Sequence, residues 1–342
     1  MKAKTITKIL ITAGICIGTL ALATEVLMPK YRTSLQEGSL IAEYYKETAA
    51  HDVLFAGDCE FYENIVPDVL WQEYGISSYI RGSAQQLIPQ TYCLTAEMLE
   101  KEKPALVAVS VLAMSEPAQT NEAYNRMSID GMKLSKYKLE SIKATKMEEE
   151  TLASYLFPIL RYHDRWKELT AEDFSGLFDD EIVSDSGYMM NLGIKPAENV
   201  PGGKPLADYR FAAVNMEYLQ KIADLCKEKG VPLLLIKSPS LYPFWYDQWS
   251  EQLEAFAEAN GIVYINTLDH LEEIGLDFAV DTYDSGLHLN LAGGEKLTKW
   301  LGGIISEEYN LTDHRGDEAY EKVWTEKHKA FEARKEELKA QQ

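Results

Sequence analysis

Residues 105–112 read Ala-Leu-Val-Ala-Val-Ser-Val-Leu, an apolar run with three valines and a single hydroxyl. A strand with one wet face alternates apolar and polar side chains. A run this uniform needs cover on both faces, as interior strands of a parallel sheet have. Shorter runs of the same character recur at 52–56, 76–80, 231–236 and 262–265. Helical patterns separate them, most clearly at 89–101 and 216–229, with Gly230 in the position of a C-terminal cap. Strands alternating with helices predict an α/β fold, a parallel sheet covered by helices on both faces.

The first thirty residues follow a different rule. Lys2, Lys4 and Lys8 precede a stretch from Ile9 to about Met28 that is interrupted only by small and hydroxyl residues until Glu25. Its length approaches the ~20 residues that cross a bilayer. Positive charge before the stretch orients such a segment with its start inside. The pattern fits a signal-anchor helix over 1–29. It also fits a secretory signal, for which Ala21-Leu-Ala23 offers a cleavage site. Both readings export the body of the chain, and the anchor reading places it at the cell membrane, single-pass, with the C-terminal domain extracellular.

Residues 30–315 are read as one domain, with an insertion at about 115–215 between the third and fourth strand runs. The insertion includes a lysine-rich helical stretch at 133–146, the segment Tyr162-His-Asp-Arg-Trp166, and a Gly/Pro-rich loop at 187–205. Residues 316–342 are strongly charged and read as a solvated helix. The formal net charge of −20 excludes nucleic acid as a partner, since phosphates would meet no neutralising surface. Cys93 and Cys226 lie in helical patterns with apolar neighbours and read as core thiols. No cysteine–histidine cluster with metal-ligand spacing occurs, so no metal site is expected.

In an open parallel sheet, ligands bind beyond the carboxyl ends of the strands. The first run ends in Gly57-Asp58-Cys59, and the second leads into Gly82, Ser83, Gln85 and Gln86. Met114 and Ser115 follow the third, and Lys237-Ser238-Pro239-Ser240 the fourth. His288 comes after the fifth, in Asp284-Ser-Gly-Leu-His288-Leu-Asn290, ahead of a final helical pattern. Acyl transfer needs such a set: a nucleophile on a sharp turn, backbone N–H groups to hold an oxyanion, and an oriented histidine. Cys59 is the candidate nucleophile, His288 the base, and Asp284 or Asp281 its orienter. Gly82 offers an oxyanion N–H, with Ser83 and Gln85 beside it, and Lys237 is placed to meet an anionic substrate. His163 is a second candidate base, although its setting suits a packed insertion better.

Gly57-Asp58-Cys59 resembles the Gly-Asp-Ser block of SGNH/GDSL hydrolases, and Asp284…His288-Leu-Asn290 resembles their C-terminal Asp/His block. The apolar N-terminus, the Leu27-Met-Pro-Lys30 exit, the Tyr162–Trp166 segment and the Asp-x-x-x-His-Leu-Asn-x-x-Gly ending are similar to a Gram-positive branch. Its members are extracellular proteins working beside membrane-bound O-acyltransferases, including the D-alanyl transfer protein of teichoic acid modification. The resemblance spans roughly residues 25–320. It implies a flavodoxin-like three-layer α/β/α sandwich, a covalent acyl intermediate and no cofactor. It also implies an acylated envelope glycan or polyol polymer as substrate, with a membrane-bound O-acyltransferase as partner.

Three departures stand against that pattern. The family serine is Cys59, the usual acid position three residues before the histidine holds Ser285, and no asparagine follows the third strand run. Two readings of the site therefore stay open. In one, Cys59 is a working nucleophile; in the other, it is a small buried thiol in a silent binding or assembly module. A thiol oxidoreductase is disfavoured, because no C-x-x-C pair or resolving cysteine lies nearby.

Overall fold

The apolar runs form strands because each pairs with a neighbouring run, the three central ones on both sides, under cover of helices. In the computed structural model, which describes residues 2–28, 39–175 and 182–341, the strands are β1 Val53–Gly57, β2 Ser78–Gly82, β3 Leu106–Ser110, β4 Leu233–Lys237 and β5 Val263–Asn266. Among the described residues they make one parallel sheet in the order β2-β1-β3-β4-β5, the flavodoxin-like arrangement. β1 to β4 are buried along their whole length, whereas β5 is an edge strand with Val263 half exposed.

Strand side chains alternate between two cores. Val53, Phe55, Ile80, Leu106, Ala108, Leu234 and Ile236 face one core. That core is closed by α2 (Cys59–Tyr62), α3 (Pro67–Tyr74) and a late helix, Leu291–Glu308. Val107, Val109, Leu233 and Leu235 face the other, under α4 (Ile88–Lys101), Ala213–Lys229 and Asp247–Asn260. The predicted three-layer α/β/α architecture is therefore present. Gly230 ends the Ala213–Lys229 helix in the left-handed region, at φ 65°, as its sequence position predicts.

The N-terminal helix α1 runs Lys2–Leu27 and is long and apolar enough to cross a membrane. Of the Leu27-Met-Pro-Lys30 exit, Pro29 and Lys30 lie outside the described residues. The insertion folds into short helices, among them α5 (Lys136–Thr145), α6 (Leu152–Leu156), α7 (Ile159–Tyr162) and α8 (Ala171–Ser175). Cys93 and Cys226 are buried thiols, and Cys16 is exposed on α1.

The charged C-terminal segment departs from the expectation of a solvated helix. Helix Glu318–Gln341 buries Trp324 and Phe331 on the core. Trp324 stacks on Trp71, with centroids 5.3 Å apart and planes at 10°. Lys327 pairs with Glu47, His328 with Asp68 and Arg334 with Asp185. Two aromatic residues seven positions apart are enough to dock one stripe of an otherwise polar helix.

Candidate active site

Two glycines shape the carboxyl edge of the sheet. Gly57 and Gly82 sit opposite one another in register at the ends of β1 and β2. A Cβ on Gly57 would lie 2.5 Å from Cβ of Ser110, and one on Gly82 2.5 Å from the carbonyl oxygen of Gly57. The chain can turn out of the sheet here only without those side chains. β1 then passes directly into α2 through Asp58, whose side chain caps the helix by accepting from the Glu60 N–H at 3.0 Å. Ser110, at the end of β3, donates its hydroxyl to the same Asp58 oxygen at 3.0 Å. Cys59 is thereby the first residue of α2, where backbone N–H groups have no intrahelical acceptor.

A cleft of about 450 Å³ opens beside this turn. Asp58 and Cys59 line it from β1, Gln85 and Leu87 from β2, and Leu112, Ala113, Ser115 and Glu116 from β3. Tyr242, Pro243 and Leu287 complete it from the later part of the chain. β1 and β3 are the neighbours between which a flavodoxin-like strand order reverses, the place where such sheets bind ligands. Among the described residues lining the cleft there is no lysine, arginine or histidine.

His288 is held just behind Leu287 by a tightly bonded loop. Thr282 and Leu289 form an antiparallel bridge, and the Thr282 hydroxyl donates to the His288 carbonyl at 2.8 Å. Ser285 and Gly286 both take positive φ, 73° and 98°. This double left-handed step folds Asp284 back on the residues it precedes. Asp284 Oδ1 accepts from the N–H of Leu287 and His288, and Oδ2 lies 2.7 Å from His288 Nδ1. The one-residue displacement of the acid is thus absorbed by loop geometry. Asn64 accepts the Leu289 N–H at 2.8 Å and ties the loop to the segment after α2.

Glu63 and Tyr283 also face the imidazole. Glu63 Oε2 lies 3.4 Å from His288 Nδ1, and Tyr283 donates its hydroxyl to Glu63 and stacks on the His288 ring. Burial alone would lower the His288 pKa, but the Asp284 hydrogen bond and the Glu63 carboxylate raise it overall. Burial would likewise raise Asp284, yet its bonds to His288 hold the carboxyl below the usual carboxylate range. His288 Nε2 is buried and has no hydrogen-bond partner among the described residues, the Cys59 thiol included.

Cys59 is partly exposed. Its thiol is pushed well up by burial and by the carboxylates of Asp58, Glu63 and Glu60. Asp58 itself is pushed up to about 7 by burial and by the neighbouring Glu60. The site therefore presents a neutral thiol at ordinary pH rather than a thiolate.

The other expected site residues fall in different places. Gln85 lines the cleft with φ 50°. Ser83 does not face substrate space: it is buried, with its hydroxyl on Gln86 at 3.2 Å and Ser128 at 2.5 Å. Gly82 packs on Gly57 at the strand ends and does not line the cleft. Lys237, expected to meet an anionic substrate, is fully buried in an ion pair with Glu60. Asp281 pairs with Lys296 at 2.6 Å, so of the two aspartates it is Asp284 that bonds the His288 ring. His163 lies in the insertion with its side chain largely exposed. Glu63, Tyr283 and Asn64 escaped sequence reasoning. The signal for Glu63 was its spacing, four residues after Cys59 and so one helical turn beyond it.

No family model matches this chain, and no curated protein matches it. Among solved structures it is similar to one described as a lipolytic protein of the G-D-S-L family from Desulfitobacterium hafniense DCB-2. The two share 12% identity with a TM-score of 0.38, over 74% of this chain and 98% of that one.

Proposed function

We propose that this chain is an SGNH-type acyl-ester hydrolase or acyltransferase, with Cys59 as nucleophile, His288 as base and Asp284 as its orienter. The observation that carries the reading is the Asp284–His288 pair. Its Nδ1 is committed to a carboxylate and its Nε2 left unpartnered, at the switch point where Cys59 opens a helix. An imidazole held in this way is oriented to take a proton through Nε2.

The raised thiol sets the kind of mechanism. A thiolate at rest is disfavoured by burial and by the neighbouring carboxyl groups of Asp58, Glu63 and Glu60. The thiol instead loses its proton to His288 Nε2 as sulfur attacks the ester carbonyl, in the manner of a serine hydroxyl. The alcohol departs with the proton from Nε2 and leaves an acyl thioester on Cys59. Water or an acceptor hydroxyl then gives a proton to His288 and attacks the thioester, which releases the acid or the transferred ester and restores the thiol. The Cys59 N–H at the helix start is the oxyanion donor nearest the reacting atom.

Among the described residues the cleft lining holds no basic side chain, which suits an acyl group that is neutral or carries an amine. An envelope glycan or polyol polymer as the acceptor, and a membrane-bound O-acyltransferase as the partner, follow from the resemblance in sequence. On this reading Cys59→Ser keeps activity within about tenfold on p-nitrophenyl acyl esters, because the site serves a neutral nucleophile. His288→Ala loses about 10²–10⁴-fold. Full activity in both Cys59→Ala and His288→Ala would falsify the assignment.

A second reading is favoured by a specific observation: no hydrogen bond joins the Cys59 thiol to His288. In it the protein is a catalytically silent binding or assembly module of the same fold. An acyl-enzyme adduct of Cys59 trapped by mass spectrometry would exclude the module. No adduct and no turnover across short-chain esters would select it.

A further inference from the structure

The insertion exposes large apolar side chains that the cleft does not use. Phe157 is 62% exposed, Leu160 55%, Trp166 64% and Phe174 50%. They belong to one short stretch of chain, from the end of α6 through α7 and the 3₁₀ turn His163–Lys167 to α8. Single exposed hydrophobic residues are ordinary on a protein surface, whereas a cluster of large ones marks an interaction face.

These same elements receive the end of α1. The helix meets α7, the 3₁₀ turn and α8. Its last residues are partly covered, while Ile6 to Leu22 are exposed. Arg165 clamps the junction, donating to the Leu27 carbonyl at 2.6 Å and to Asp173 at 2.9 Å. An arginine on a terminal carbonyl satisfies an orphan acceptor and complements the helix dipole. The apolar segment of α1 covers Lys4–Leu27, 24 residues. At 1.5 Å per residue that is about 36 Å, against a hydrocarbon core of about 30 Å. With its lysines at one boundary, Leu27 reaches the other, and whatever is clamped to Leu27 sits at headgroup depth.

We propose that residues 152–175 form a membrane-resting platform. In it Phe157, Leu160, Trp166 and Phe174 enter the headgroup–acyl boundary of the bilayer that α1 crosses. The occupant of this face is lipid rather than a protein, because the face continues directly from the membrane-spanning helix. Aromatic rings are the side chains favoured at that depth. Arg161 is paired with Glu122 and Arg165 with Asp173, so the contact is apolar rather than polybasic. A single helix leaves a domain free to turn about its tether; a second contact sets the orientation of the domain on the membrane.

The proposal rests on α1 crossing the bilayer, and the test separates the two. The full chain is placed in nanodiscs of phosphatidylcholine and phosphatidylglycerol whose acyl chains carry bromine near the headgroup. The difference in emission between wild type and Trp166→Phe isolates Trp166 from the other tryptophans. The expected result is that bromine quenches the Trp166 component at least twofold while aqueous iodide leaves it nearly unchanged. Phe157→Ser with Leu160→Ser, both on the surface and outside the core, is expected to halve the bromine quenching with the chain still in the disc. Iodide quenching without bromine quenching, in a chain that stays with the disc, overturns the platform alone. A chain that never enters the disc removes the span and the platform together. Shielding of Trp166 that arises only after membrane extract is added assigns the face to a protein and overturns the lipid reading.

Discussion

After the Asp284 hydrogen bond, Glu63 is the next influence that raises the His288 imidazole, and on the proposed mechanism it bears on the pH of activity. Its carboxylate lies 3.4 Å from Nδ1 and adds to Asp284 in favouring the protonated ring. A base must be deprotonated to accept, so a raised histidine pKa moves the acidic limb of kcat/KM to higher pH. Glu63→Gln is expected to move that limb to lower pH, read from the pH profile of ester hydrolysis; an unmoved limb removes Glu63 from the site's electrostatics. Stability responds in a definite sense. A histidine raised on folding contributes stability that is complete below its unfolded pKa of about 6.5 and is lost as pH rises through the folded value. Asp58 acts on the other partner. Asp58→Asn removes a carboxylate that holds the thiol up, so iodoacetamide alkylation of Cys59 at pH 8 is expected to accelerate, about tenfold for each unit the pKa falls. No acceleration would mean that burial alone keeps the thiol neutral. Cys59, His288 and Asp284 could be singled out as candidates from the sequence because each lies in a local pattern beside a strand run. Glu63 and Tyr283 could not, since Glu63 meets both His288 and Tyr283 across more than two hundred residues, and no local pattern encodes those contacts.

Elements were legible where one period dominates. The five strand runs became β1 to β5 with ends shifted by one or two residues; for β1 to β4, burial on both faces leaves an apolar run few other conformations. The C-terminal helix was misjudged because Trp324 and Phe331 are lost among its charges, although they carry its docking. Trp324 is 2% exposed and stacks on Trp71. Trp324→Ala is expected to cost about 3–5 kcal/mol in urea unfolding, with the helix detaching before the core. A loss under 1 kcal/mol would show the helix to be a passive appendage. Lys237 was misjudged for the converse reason, since a lysine at a strand end gives no sign of its partner. Lys237 and Glu60 are both fully buried, and Glu60 also accepts the Ser238 N–H at 3.1 Å. Lys237→Met leaves an uncompensated buried carboxylate and is expected to destabilise by about 3–5 kcal/mol. Adding Glu60→Gln should recover most of that loss, as chemical denaturation would report. Equal losses in the single and double variants would contradict an ion-pair role.

For the whole molecule, strand order places the site. No single run states that β1 lies between β2 and β3, yet that order puts Cys59 at the switch point and opens the cleft there. The resemblance supplied this arrangement at the sequence level; hydrophobic pattern alone reached only a parallel sheet. The remaining global variable is which side of a membrane the domain occupies. Lys4 and Lys8 lie in the first turns of the apolar span of α1, whereas Glu25 lies near its far end. If α1 spans a membrane, positive charge retained on the cytoplasmic side would carry the domain outward, which is the orientation proposed. The chain's formal net charge of −20 works against its being held on an anionic inner leaflet. Protease added to intact cells is therefore expected to release or degrade the domain while a cytoplasmic marker survives. What stays in the membrane should be a fragment of a few kilodaltons that begins at Met1, since an uncleaved anchor keeps its N-terminus. A domain protected until the cells are lysed would reverse the orientation and exclude an outer-face substrate. A released domain that lacks residues 1–23 without added protease would instead identify the segment as a cleaved signal and remove the tether on which the platform depends.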